Sequence, residues 1–176
     1  MIYLPSQILE QLMMKKLLIL IALVSVSLLN AQAYKGKGDQ KFQVGANLQD
    51  EATGINVTYD YGLGENISIG ISSSYALGID DRLDADFGDR FDIKARFNAN
   101  LGNVLNIDEN FDFYPGLSLS LKNFGGHLGA RYFFSDGFGL FTEATFPLAK
   151  YSNDKFDIGY YIHNQFAINI GASFNL

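Results

Sequence analysis

Every second residue from 91 to 101 is apolar: Phe91, Ile93, Ala95, Phe97, Ala99 and Leu101. The residues between them are Asp92, Lys94, Arg96, Asn98 and Asn100. Side chains of a strand point alternately to opposite faces, so this stretch has one apolar and one charged face. On a helix the same residues would scatter around the axis. A strand crossing a bilayer at a tilt needs roughly 9–11 residues, and this run has that length.

The same alternation predicts seven more strands, at 41–48, 55–63, 67–77, 113–121, 124–134, 138–148 and 165–176. Pro115 lacks an N–H donor and belongs near a strand start or a bulge. Short turns are expected at 49–54, 64–66, 122–123 and 135–137. Longer connections are expected at 78–90, 102–112 and 149–164. An even strand number closes an antiparallel barrel with both termini on one side. With the termini periplasmic, 49–54, 78–90, 122–123 and 149–164 lie outside the cell. The 102–112 connection is then a periplasmic turn, longer than such turns usually are, with some order of its own.

The expected fold is all-β: an eight-stranded antiparallel up-and-down transmembrane barrel. Aromatics support it by falling near strand ends in two sets. Phe42, Tyr61, Phe113, Phe134, Phe138 and Phe174 belong to one rim. Tyr75, Phe91, Phe124, Phe146 and Phe166 belong to the other. Two such girdles mark the two interfaces of a membrane. Alternation does not say which face points outward, and a soluble lipid-binding barrel with an apolar interior is the alternative. The polar face, however, is rich in Gly, Ser and Asn, which fit a narrow eight-stranded interior better than a solvated exterior.

Residues 1–33 read as a signal peptide. Lys15 and Lys16 precede an apolar core at 17–29, and Ala31-Gln32-Ala33 supplies a small-x-small cleavage site. The residues before Met13 and Met14 are unusual ahead of such a signal and point to a downstream start. Residues 34–40 form a short polar lead-in, and 41–176 the barrel. No later run of about 18 apolar residues exists, so a membrane location means strands.

Composition narrows the function. The chain of 176 residues has no Cys and no Trp, 14% aromatics and 18 Gly. Without Cys, disulfides and thiolate metal sites are excluded. A net charge of -6 leaves no basic patch to neutralise nucleic-acid phosphates.

With these residues in view, the chain resembles the small eight-stranded outer-membrane barrels of Gram-negative bacteria, the OmpA/OmpX-like superfamily. The most specific part is the last strand, where Phe166, Ile168, Ile170, Ala172, Phe174 and Leu176 alternate. In that family such a strand ends in an aromatic and resembles an insertion signal for the barrel-assembly machinery. Here the final residue is Leu176. The resemblance implies an outer-membrane location, lipid and the assembly machinery as partners, and a monomer. It does not fix a function.

The expected lumen charges are Asp60, Asp92, Lys94, Arg96, His127, Arg131 and Glu143, with Lys41 and Lys122 near strand ends. Buried charges need partners, and both signs are present, so a packed network is expected. A selectivity lining for a narrow pore for ions or small polar solutes is the alternative. A hairpin closing at Lys122-Asn123 would make Ser120 and His127 cross-strand neighbours, with Glu143 on the next strand. That is the set a lipid-modifying enzyme would need. No motif flanks Ser120, so no catalytic residue is assigned. The loop 79–90 carries Asp80, Asp81, Asp84, Asp86 and Asp89, but lacks calcium-loop spacing and a closing Glu. No metal or cofactor is assigned. The expectation is a non-enzymatic barrel with a structural role, or one displaying its outer loops to a partner.

Overall fold

The computed structural model describes residues 32–50, 52–79, 85–152 and 157–176. Residues 1–31 of the expected export signal, and Asp80, Asp81 and Asp84 of the acidic loop, lie outside the described residues. Eight strands form one closed barrel in sequence order, each antiparallel to its neighbours. They are β1 Gln40–Gln49, β2 Ala52–Gly62, β3 Ile67–Ile79, β4 Phe91–Ala99, β5 Phe111–Ser120, β6 Asn123–Ser135, β7 Phe138–Lys150 and β8 Ala167–Asn175. Closure of β1 onto β8, from Lys41↔Asn175 to Gln49↔Ala167, leaves no free edge along that seam. A closed barrel pairs its backbone groups without help from solvent.

The apolar face points outward. Along β3 and β4, Ile69, Ile71, Ile93 and Phe97 are exposed while Ser68, Ser72, Asp92, Arg96 and Asn98 are buried. This is the reverse of a soluble barrel, whose apolar face fills the interior. Rings cluster at the end carrying the termini: Phe42 and Phe138 both meet Phe174, at 6.3 and 5.7 Å. At the far end Phe87 lies 5.5 Å from Tyr75 and 6.0 Å from Phe91.

Three short helices occupy connections: α1 Phe87–Arg90, α2 Gly102–Leu105 and α3 Ile158–His163. None of the described helices is long and apolar enough to cross a membrane. The first outer turn shrinks, because β2 begins at Ala52 rather than Ile55. The 102–112 connection contains α2 and ends earlier than expected, since β5 starts at Phe111. Pro115 sits mid-strand rather than at the start. It lies just beyond Asn98↔Gly116, where pairing with β4 ends, so its missing donor breaks no recorded rung there.

Residues 32–39 are not a free lead-in. Ala33 donates its N–H to the Glu109 carbonyl at 2.8 Å and packs against Phe133. The Tyr34 hydroxyl donates to the Ile67 carbonyl at 2.7 Å. Alternation carries no sign of this segment, because it is not a strand. It folds across the barrel end that carries the termini.

Candidate functional site: a lumen filled by paired charges

The lumen is built from inward positions of all eight strands, with charges in two layers. In the middle layer Arg96, on β4, faces two carboxylates. Its Nε lies 3.2 Å from Asp60 on β2, and its Nη2 donates to Glu143 on β7 at 2.7 Å. All three side chains are almost wholly buried. Arg96 also donates to Asn98 Oδ1 at 3.2 Å. His127 Nε2 lies 2.7 Å from that same Asn98 oxygen and 3.2 Å from Arg96 Nη2.

In the lower layer, towards the termini, Arg131 on β6 donates to Asp112 at 2.6 Å and to Asn100 Oδ1 at 2.8 Å. Lys41 pairs with Asp39 and lies over the Phe133 ring, 5.4 Å from its centroid. Tyr114 separates the layers. Its fully buried ring has the Arg131 guanidinium at 4.6 Å and the Arg96 guanidinium at 5.9 Å from its centroid. Gln43 donates to the Tyr114 hydroxyl at 3.2 Å and accepts from Thr58 at 3.0 Å.

Glycines make room for these groups. A Cβ on Gly129 would overlap the Tyr114 ring, and one on Gly116 would overlap the His127 imidazole. Glycine is therefore required at both sites by the large side chain opposite, on the paired strand.

Two partners of the network were assigned elsewhere by sequence reasoning. Asp112 was placed in a loop and Asp39 in the lead-in. Alternation extended backward from Tyr114 would have turned Asp112 inward. The same rule applied behind Lys41 reaches Asp39. Phe133 and Phe141 also point inward and are buried.

Asp92 and Lys94 stand above the middle layer, 3.4 Å apart. Lys94 lines a polar chamber of about 40 Å³ together with Asn47, Asn56, Ser72 and Asn169. That volume holds about three waters. Asn56 Oδ1, on the chamber wall, makes no hydrogen bond among the described residues, and water is the natural partner for such a group.

The far end is capped. Ile162 of α3 is fully buried against Ala52 and Ala76. Asn123 Nδ2 donates to the His163 carbonyl and to Asn164 Oδ1, both at 2.9 Å. His163 Nε2 donates to the Asp89 carbonyl at 2.8 Å. Burial pushes its pKa down to about 4, with the nearby Lys122 adding to the effect. Lys122 donates to the Phe91 and Gly88 carbonyls at 2.9 and 3.1 Å. Burial lowers its pKa as well. Lys122 therefore ties the β5–β6 turn to α1 rather than lining the lumen.

Ser120, His127 and Glu143 are not brought together. The register pairs Gly116 with His127 and Ser118 with Gly125. Ser120 Oγ accepts from the N–H groups of Lys122 and Asn123, both at 3.1 Å. Four residues, rather than two, lie within the last rung, Leu119↔Phe124, which shifts it away. Asp86 and Asp89 form a capping box on α1, each carboxylate accepting from the other's backbone N–H at 3.1 Å. Capping is a structural use of carboxylates. The six alternating residues of the last strand all lie on its outer face, from Phe166 to Leu176.

A family model of unknown function, DUF6646, matches residues 24–176. The chain belongs to that family. No curated protein matches it. Among solved structures, one described as "De novo design of transmembrane beta-barrels" is similar in fold, with a TM-score of 0.57 and 9% identity. The match covers 81% of this chain and 98% of that one. At that identity the likeness shows the eight-stranded barrel fold alone.

Proposed function

We propose that this DUF6646 chain is a non-enzymatic, non-conducting barrel protein of a bacterial outer membrane, of the OmpA/OmpX-like kind. Its lumen is a structural plug, and the α1–α3 cap is the surface offered to a partner outside the cell. An outward apolar face with two rings of aromatics matches a bilayer and its two interfaces. The likeness in fold to designed transmembrane barrels supports the same reading. The alternating last strand supports insertion by the barrel-assembly machinery, and a closed sheet supports a monomer. An export signal ahead of the barrel fits this location.

The observation that carries the non-conducting reading is Arg96. It spans the lumen from Asp60 to Glu143, with Tyr114 and the Arg131–Asp112 pair stacked beneath it. A hydrated ion has no path through that layer unless the buried pairs separate. Conductance of the refolded full chain in a planar bilayer tests this. Silence from folded, heat-modifiable protein is expected. Stable unitary steps would overturn it in favour of the narrow pore.

A further inference from the structure

Within residues 32–39 the chain passes from solvent to interior between two neighbours. Gln32 is exposed, while Ala33 and Tyr34 are 1% and 2% exposed. Ala33 fills a built seat. Its N–H donates to the Glu109 carbonyl at 2.8 Å, and it packs on Phe133, which is itself fully buried. The next carbonyl, that of Asn110, accepts from the Phe133 N–H at 2.9 Å. Successive carbonyls of the 102–112 connection therefore hold Ala33 and strand β6.

Asn103, in α2, holds the chain on both sides of that seat. Its side-chain nitrogen donates to the Tyr34 carbonyl at 3.2 Å, and its oxygen accepts from Gln32 Nε2 at 3.4 Å. The unusual length of the 102–112 connection has its use here. Asn103 and the Glu109 carbonyl form a clamp around Gln32, Ala33 and Tyr34.

Two bonds compete as the end of the export signal. A cut after Ala33 has the better local pattern, Ala31-Gln32-Ala33, with a small residue at both positions. A cut after Ala31 has its small residue only at the bond itself, with Leu29 two places before. The folded barrel separates them. A cut after Ala33 removes the residue that packs on Phe133 and takes their partners from the Glu109 carbonyl and the Asn103 oxygen. It also puts the new ammonium one bond from the apolar seat, where a charge is worse placed than in water. A cut after Ala31 puts the ammonium on exposed Gln32 and keeps every contact of the clamp.

We propose that the export signal ends at Ala31 and that the mature protein begins at Gln32, with Gln32 and Ala33 retained as the first residues of the barrel's terminal seal. The inference rests on the export reading above.

The full chain is expressed with its own signal in a Gram-negative host. The N-terminus of the protein in the outer-membrane fraction is then determined by mass spectrometry of the intact chain and of its first peptide. The expected start is Gln32. It is free, or a pyroglutamate formed when its α-amino nitrogen attacks the side-chain amide carbon and ammonia leaves. A start at Tyr34, or at any other residue, overturns the proposal and leaves export standing. Precursor that is never cut overturns the export reading with it. Two variants act on the cut itself, before folding, so misfolding does not mask them. Gln32→Pro places a residue without an N–H directly after the proposed bond, and precursor should accumulate. Processing of Gln32→Pro at the wild-type rate would overturn the proposal. Ala33→Tyr places a bulky side chain where a cut after residue 33 needs a small one, and the start should stay at Gln32. Loss of cutting in Ala33→Tyr would overturn it too. In the mature barrel, Asn103→Ala should speed amide exchange at Ala33 about tenfold, the size of one hydrogen bond. Unchanged exchange would overturn the clamp.

Discussion

Replacing Arg96 with methionine removes the cation shared by Asp60 and Glu143. Both carboxylates are at most 2% exposed, and no other cation lies within ion-pairing distance of either among the described residues. Removing one member of a buried pair costs about 3–5 kcal/mol, because the remaining charge is left buried and uncompensated. Methionine roughly preserves the volume above Tyr114, so the electrostatic part dominates. For a barrel of this size a urea slope of about 2 kcal/mol per M turns that cost into a midpoint shift of about 1.5–2.5 M. The chain has no Trp, so unfolding is followed by circular dichroism and by the heat-modifiable gel shift in urea. The triple variant Arg96→Met, Asp60→Asn, Glu143→Gln should recover most of the loss, since an uncharged layer has no unpaired ion. A single-variant cost below about 1 kcal/mol, the size of an exposed pair, would refute a packed middle layer closed to bulk water. It would mean that water reaches these charges and that the pore alternative regains ground.

Gly129→Val should cost about 1–3 kcal/mol by overpacking, because its side chain meets the Tyr114 ring. Combination with Tyr114→Ala should recover part of that cost, measured as non-additive urea midpoints. Ile162→Ala should loosen the cap by about 2–4 kcal/mol without shifting the barrel midpoint, read as faster protease cleavage near α3. Docking of α3 should also depend on pH through His163. Its folded pKa of about 4 lies below the ordinary 6.5, so the undocked cap binds the proton more readily. Docking is then fully favourable above about pH 6.5 and weakens as pH falls towards 4, by at most about tenfold per pH unit. Hydrogen exchange of α3 between pH 7.5 and about 5 should show this, and His163→Gln should abolish it.

The sequence by itself determined the barrel. Period-two alternation survives in all eight strands, because each strand must show lipid-compatible groups on one side and lumen groups on the other. That requirement is local, so residues 91–101 alone put Arg96 on the polar face, and the Gly, Ser and Asn of that face across the strands turned it inward. Sorting of Phe42, Phe138 and Phe174 to one rim was equally visible, since position along a strand sets depth. Tertiary structure decided the pairings within the lumen. Arg96 meets Asp60 and Glu143 from strands far apart in sequence, and their approach depends on register and stagger around the closed barrel. One wrong turn length was enough to misplace Ser120 relative to His127. The ends were also decided by tertiary structure. Residues 32–39 and α3 cross the openings as irregular or helical segments, held by single contacts such as Tyr34 to Ile67 and Ile162 to Ala52. Such contacts have no period for a sequence to display.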